Sequence, residues 1–149
     1  MSSVAQSMDE TQTRDFLSHG TRTGKLAWTG ASGQAHVAPV WFVVDDAAAA
    51  LELVFTTDAG SAKGRALRRD PRVSLVVDEE RPPYSFVKVT GAVTIAEDLE
   101  DLRRWATRIA GRYMGLDRAD EFGRRNGVPG ELLVRLRPSK VVAMAAVAD

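Results

Sequence analysis

The sequence predicts an α+β domain built on a six- to seven-stranded antiparallel β-barrel with flanking helices. Three observations predict it. Short apolar stretches alternating with a period of two recur along the chain and are joined mostly by tight turns. Pro39 and Gly91 fall inside two of the longer stretches, where a curled sheet needs a bulge or a bend. The period changes to a helical one between the third and fourth strands and again in a pair of helices before the last strands. Residues 1–8 are expected to form a disordered tail and residues 9–149 one domain.

In chain order, Asp9–Leu17 reads as a short helix with Phe16 and Leu17 turned inward, closed by Gly20. Thr21–Trp28 reads as the first strand, and Gly30-Ala31-Ser32-Gly33 as a hairpin turn. Ala35–Val44 becomes apolar on both faces, with Val40, Phe42 and Val44 on one side and Trp41 and Val43 on the other. That pattern predicts a central strand. Pro39 cannot donate to a ladder, so pairing should be interrupted there, beside Trp41. Leu51–Thr57 is the third strand and Val73–Asp78 the fourth, on either side of a helix near Ser61–Arg69. Ser85–Ala96 alternates with Val87, Val89, Val93 and Ile95 on one face. Leu99, Leu102, Ala106, Ile109, Ala110 and Tyr113 recur at helical spacing up to Gly115, and Asp117–Arg125 reads as a second, short helix. Glu131–Arg137 and Val141–Val147 are the closing strands, divided by Pro138.

The stretch Val54–Asp78 carries the chemistry. Thr56 and Thr57 place two hydroxyls at a strand end, and Ser61 is a natural helix cap. The N–H groups of Ala62, Lys63 and Gly64 would then be unpaired beyond the helix end. That arrangement suits a phosphate, and Lys63 adds a full positive charge beside it. Arg65, Arg68, Arg69 and Arg72 follow, so five cations fall within Lys63–Arg72 against Asp70 alone. The other reading of the same residues is an arginine-rich surface helix after a Thr-Thr pair of high strand propensity.

Composition bounds the function. The 149 residues can bury a core without disulfide or metal. No cysteine is present, which excludes thiolate metal sites and cysteine nucleophiles and fits a reducing cytoplasm, the expected compartment. Twenty basic against twenty acidic residues argue against a nucleic-acid partner. No apolar run is long enough to span a bilayer and the start lacks a basic-then-apolar leader, so neither a membrane partner nor a secretory signal is expected.

Five segments in this order and spacing resemble one family. They are His36–Asp46 (HVAPVWFVVDD), Val54–Val73 with its S-A-K-G-R-A-L-R-R-D-P-R run, Val87–Gly91 (VKVTG), Arg112–Gly115 (RYMG) and Leu136–Val141 (LRPSKV). The chain resembles the pyridoxamine-phosphate-oxidase-like flavin and deazaflavin proteins with the FMN-binding split β-barrel, and within them the actinobacterial reductases that use coenzyme F420. The resemblance implies a homodimer with its two cofactor sites in the groove between barrels. Carried over by position, it implies that Pro39, Val40 and Trp41 lie along the cofactor ring. Thr56 and Thr57 would bond its phosphate, and Ser61, Ala62 and Lys63 would complete that site. Arg65 and Arg68 are weaker candidates for the cofactor tail, while Val77 and Asp78 would border the cofactor. Where pyridoxamine-phosphate oxidases carry an Arg before the phosphate-binding Lys, this chain has Ala62. The Lys expected near Val44 and the Gln near Phe86 are also absent. These departures point away from FMN oxidase chemistry and leave the choice between coenzyme F420, which the resemblance implies, and FMN as a plain redox cofactor.

The implied activity is an oxidoreductase that transfers a hydride between coenzyme F420 and a small organic acceptor. A deazaflavin supplies the hydride itself, so no side chain is expected as an indispensable catalytic nucleophile or base and no metal is required. His36 reads as a packing or hydrogen-bonding residue rather than an acid, and His19 as a helix-end residue. Trp41 has two readings, core or cofactor wall. Trp28 and Trp105 are assigned to packing or to the dimer interface, and Arg124-Arg125 to a solvated face or to the partner's cofactor tail. A non-catalytic carrier of flavin, deazaflavin or haem would use the same residues, so the sequence leaves that alternative open.

Overall fold

The computed structural model describes residues 6–148. A short helix, α1 (Glu10–Ser18), precedes the main strands, and its start is a capping box. The Asp9 carboxylate accepts from the Gln12 N–H at 2.8 Å, and the Gln12 side chain accepts from the Asp9 N–H at 2.8 Å. Before it, β1 (Gln6–Ser7) pairs with Ala145 and Met144. The last described residues of the expected tail are thus held by the end of the final strand rather than free.

The sheet strands that follow are β2 (Gly24–Thr29), β3 (Ala35–Val40), β4 (Val43–Val44), β5 (Leu53–Asp58), β6 (Arg72–Asp78), β7 (Phe86–Ala96) and β8 (Glu131–Ala145). They run β3-β2-β6-β7-β8-β5-β4, every pair antiparallel. The helix α2 (Ala62–Arg69) joins β5 to β6; α3 (Leu99–Met114) and α4 (Ala119–Asn126) lie between β7 and β8. Among the described residues, no helix is long and apolar enough to cross a membrane.

The strand expected over residues 35–44 is not central. It is two strands at opposite ends of the sheet order, separated by Trp41 and Phe42 alone. Because the two ends of the sheet are consecutive in the chain, the sheet must curl until they approach each other, which gives a half-barrel left open at the β3 edge. The interruption expected at Pro39 falls just after it. Pro39 faces Lys25 in the β2 ladder, and β3 has no second strand partner, so its missing N–H costs no ladder bond. The apolar run was misread because Val40, Phe42, Val43 and Val44 are buried where the barrel turns its corner, while Val37 lies 66% exposed on the free edge.

Pro138 does not divide the last strand either. Gly91 pairs with Pro138 and Thr90 with Lys140, so Ser139 is the extra residue of a bulge. A Cβ at position 91 would collide with the Arg137 carbonyl, which is why glycine stands there. The Ser139 hydroxyl donates to the Thr90 carbonyl at 3.1 Å, and β8 continues as one strand.

Two apolar clusters result. The barrel interior holds Leu26, Phe42, Leu53, Phe55, Leu75, Val77, Val89, Leu132, Val134 and Leu136. On the outside of β5 and β8, Val54 and Leu133 meet Leu102, Trp105 and Ile109 of α3, together with Val43. Full burial of each large aliphatic or aromatic side chain is worth about 1.5–3 kcal/mol relative to exposure. Trp105 belongs to this second cluster, which settles its expected role as packing.

Candidate cofactor site

The site begins where β5 ends. Strand alternation turns Leu53, Phe55 and Thr57 to the barrel interior and Val54, Thr56 and Asp58 to the face covered by α3. Thr56 is half-buried on that outer face; Thr57, 5% exposed, is on the inner one. The two hydroxyls expected to share a phosphate therefore point to opposite sides of the sheet.

After Asp58 the chain turns tightly into α2. The Asp58 carboxylate accepts from the Gly60 N–H at 2.6 Å. The Asp58 carbonyl accepts from the Ser61 N–H at 3.2 Å and from the Ser61 hydroxyl at 2.7 Å. Ser61 is the helix cap, as its type suggests, and its hydroxyl oxygen accepts from the Gly64 N–H at 3.0 Å. Gly64 is thus not a free donor, a correction to the sequence reading. The N–H groups of Ala62 and Lys63 have no acceptor among the described residues. A Cβ at Gly64 would meet the Asp58 carbonyl, so glycine is what lets the helix press on the turn.

Lys63 leaves α2 toward a cleft of about 270 Å³, lined also by Pro39, Val40, Trp41 and Thr56. Five of the residues assigned to the cofactor from the sequence therefore come together, from β3, the break after it, β5 and α2. The far wall was not foreseen: Ala106 and Ile109 of α3 and Asn126 at the end of α4. Burial pushes the Lys63 ammonium below the ordinary lysine range, and the nearby Glu131 carboxylate pulls it part of the way back. Among the described residues no hydrogen bond or ion pair uses the ammonium, which lies 5.9 Å from the centre of the Trp28 ring. Glu131 itself is shifted up, by burial first and then by the Asp58 charge, against the opposing pull of the Thr56 hydroxyl and of Lys63.

Trp41 is 40% exposed, and one face of its indole is stacked on Tyr113, with ring centres 5.0 Å apart and planes 4° from parallel. The stack is anchored. The Tyr113 hydroxyl donates to the Arg22 carbonyl at 2.9 Å and accepts from the Phe42 N–H at 3.3 Å. Arg112 next to it donates to the carbonyls of Leu17, Gly20 and Phe42 at 2.7, 2.9 and 2.8 Å. Phe42 is thereby held at both its N–H and its carbonyl, directly after the Trp41 that lines the cleft.

The other residues singled out lie elsewhere. Arg65 donates to the Gly60 carbonyl, and Arg68 pairs with Glu97 at 3.1 Å. Val77 is buried in the barrel, and Asp78, next to it at the end of β6, pairs with Lys25 at 3.2 Å. Ser61 and Ala62 remain at the helix start beside the cleft. His36 stacks on Trp28 with ring centres 5.6 Å apart, as a packing residue would, and His19 closes α1. Sequence reasoning missed Ala106 and Ile109 because their spacing reads as core, Asn126 because it reads as a helix stop, and Glu131 because it merely opens a strand. Tyr113 stood in one of the resembling segments without an assigned role.

The profile of the pyridoxamine 5'-phosphate oxidase family matches residues 10–145. The chain belongs to this family, and its curled antiparallel sheet with flanking helices is the family's split barrel. A comparison with curated proteins found no match. Among solved structures it resembles the conserved hypothetical protein Rv2991 from Mycobacterium tuberculosis, with 29% identity over 93% of this chain and 86% of that one and a TM-score of 0.81. It also resembles a structure titled F420 Reductase, at 23% identity over 85% and 94% with a TM-score of 0.64. A third, an FAD-binding protein from Mesorhizobium loti, has 21% identity over 95% and 98% and a TM-score of 0.65.

Proposed function

We propose that the chain is an oxidoreductase that binds coenzyme F420 in the cleft beside Lys63 and passes a hydride between it and a small organic acceptor, as a homodimer. FMN is the alternative cofactor. The observation that carries the reading is the cleft itself: Lys63, half-buried and without a partner among the described residues, lines it together with Thr56, Pro39, Val40 and Trp41. A flat ring with one anionic group fits these residues. The apolar wall takes the ring, and the ammonium, the Thr56 hydroxyl and the free N–H groups of Ala62 and Lys63 take the anion. Similarity to an F420 reductase and to an FAD-binding protein supports a cofactor of flavin type.

When bound, the deazaflavin supplies the hydride. The chain's own residues position and exclude. Tyr113 and the Arg112 clamp keep Trp41 upright, so that the free face of the indole bounds the ring. Ala106 and Ile109 keep water from one side of the cleft, and Asn126 offers an amide at its rim.

A second copy is part of the proposal. At about 270 Å³ the cleft lies just below the roughly 300–1,000 Å³ range of complete small-molecule sites. Beside it the edge strand β3 exposes Val37, and Trp41 is exposed at its end. A partner barrel against that edge would cover both and complete the walls.

Titration of the purified protein with coenzyme F420 and with FMN tests the cofactor, and light scattering on a sizing column tests the dimer. Tighter binding of FMN, or a monomer at micromolar concentration, overturns the corresponding part. Stopped-flow oxidation of the reduced cofactor by quinones, enones and tetrapyrroles then tests turnover. Oxidation by none of them replaces the reductase with a carrier.

A further inference from the structure

The anion end of the cleft carries more negative charge than a phosphate site would be expected to. In the β5–β8 ladder Asp58 stands directly opposite Glu131, so both side chains lie on the face that bears the cleft. Thr56, two residues before Asp58, is the diagonal neighbour of Glu131 and faces the same way. The charged groups facing Glu131 are Asp58 from β5 and Lys63 from α2. Asp58 is committed to the turn by its 2.6 Å bond from the Gly60 N–H.

One ammonium therefore stands against two carboxylates before any ligand arrives. The helix start adds about half a positive charge. Such a site accommodates one further negative charge at modest cost and a second at much greater cost, because like charges brought together in a partly desolvated place repel strongly. Phosphate groups differ in just this respect. A phosphodiester, as in coenzyme F420, carries a single charge at every pH near neutrality. A terminal phosphomonoester, as in FMN, carries between about one and a half and two at pH 7.

We propose that Glu131 is a specificity-determining residue of the cofactor site: together with Asp58 it selects a singly charged phosphodiester over a doubly charged phosphomonoester at Lys63. The inference rests on the reading of the cleft given above and adds a residue and a chemical criterion to it. It also accounts for Ala62. A site that rejects the second charge has no use for the arginine which the resembling oxidases carry there.

The test is a set of dissociation constants for coenzyme F420, FMN and riboflavin, measured by fluorescence titration at pH 6 and pH 8 on the wild type, Glu131→Gln and Lys63→Ala. Riboflavin has the ring without the phosphate and isolates the anion's share. In Glu131→Gln, FMN is expected to bind at least about tenfold tighter, F420 less than about threefold tighter, and riboflavin unchanged. In the wild type the preference for FMN over riboflavin should rise from pH 8 to pH 6, as the phosphate gains a proton and its second charge no longer meets the Glu131 carboxylate; in Glu131→Gln that rise should be smaller. If FMN does not bind the wild type, measurable FMN binding by Glu131→Gln supports the proposal and its continued absence overturns it. If Lys63→Ala weakens both phosphate-bearing cofactors while Glu131→Gln leaves their ratio unchanged, the cleft reading survives and the role of Glu131 does not. If Lys63→Ala weakens neither, both fall together. Should Glu131→Gln fail to fold, a flat FMN-to-riboflavin ratio between pH 6 and pH 8 in the wild type is sufficient to overturn the proposal.

Discussion

Two half-buried cations flank the cleft's surroundings, Arg112 on α3 and Lys63 on α2, and they are used in opposite ways. Arg112 donates to three backbone carbonyls, at 2.7, 2.8 and 2.9 Å, from α1, the turn after it and the break between β3 and β4. Among the described residues Lys63 donates to none. Desolvation pushes both below their ordinary pKa ranges, so each is costly to bury as a charge. For Arg112 the cost is offset within the fold. For Lys63 it is offset only in part, by a carboxylate that is itself shifted against ionisation. The difference separates a structural cation from a binding one without reference to any relative: the first has its donors satisfied, and the second keeps them for a ligand.

The largest effect should come from breaking the satisfied cation. Arg112→Met keeps the stem but leaves three carbonyls without their donor and releases Phe42 beside the cleft. The expected loss is about 3 kcal/mol of stability, or roughly 10 °C in Tm, since each hydrogen bond from a charged donor is worth about 1.5–3 kcal/mol and partial solvation recovers some of it. Thermal unfolding followed by circular dichroism reads this directly. A change of less than about 0.5 kcal/mol would show that the clamp is ornamental and would erase the contrast. Lys63→Ala should do the reverse, leaving Tm unchanged or raised while cofactor binding weakens roughly ten- to a hundredfold, or about 1.5–3 kcal/mol. Equal affinity of the variant and the wild type would remove Lys63 from the site.

How much of this was legible beforehand depends on how far apart in the chain the partners lie. The turn from Thr56 to Lys63 is local, and its parts could be read one by one: a strand end, a breaker, a serine cap, a lysine inside the first turn. Even the fate of Thr57 was present in the alternation, because Leu53, Phe55 and Thr57 share one face and the first two are plainly core. Assigning both threonines to a phosphate overrode that signal. Gly64 was misjudged for an equally local reason, since a serine that caps a helix takes up one of the donors it was expected to leave free. Glu131 and Asn126 were out of reach. They arrive at the cleft through β5–β8 pairing and α3–α4 packing, and neither carries a local mark. The same holds for the two ends of the sheet. A run apolar on both faces fits a central strand and a barrel corner equally well, and only the strand order separates them.

A smaller effect follows from the shifted pair at the cleft. Glu131 titrates above its ordinary value of 4.5 in the folded protein, so the native state holds its proton more tightly than the unfolded chain. Its contribution is fully present below pH 4.5 and is lost as pH rises through the folded value. Glu131→Gln removes that dependence. Relative to the wild type, the variant without cofactor should be no more stable at pH 4 and more stable at pH 7. Urea unfolding at the two pH values measures the difference. A gain at pH 4 equal to that at pH 7 would mean that the substitution acts through packing and not through charge.

The smallest effect belongs to the arginines of α2, which the resemblance ranks below Lys63 as candidates for the cofactor tail. Arg68 pairs with Glu97 across 3.1 Å, with 47% and 61% of the two side chains exposed, and such surface pairs are worth about 0–1 kcal/mol because water screens them and two long side chains must be held still. Arg68→Ala should therefore shift stability by less than about 0.5 kcal/mol and leave the affinity for coenzyme F420 within about twofold of the wild type. A loss approaching that of Lys63→Ala would mean that the cofactor's anionic tail wraps around the helix to reach Arg68. The line drawn between Lys63 and the arginines of α2 would then need moving, since a cation engaged by a surface carboxylate in the free protein could still exchange that partner for a ligand.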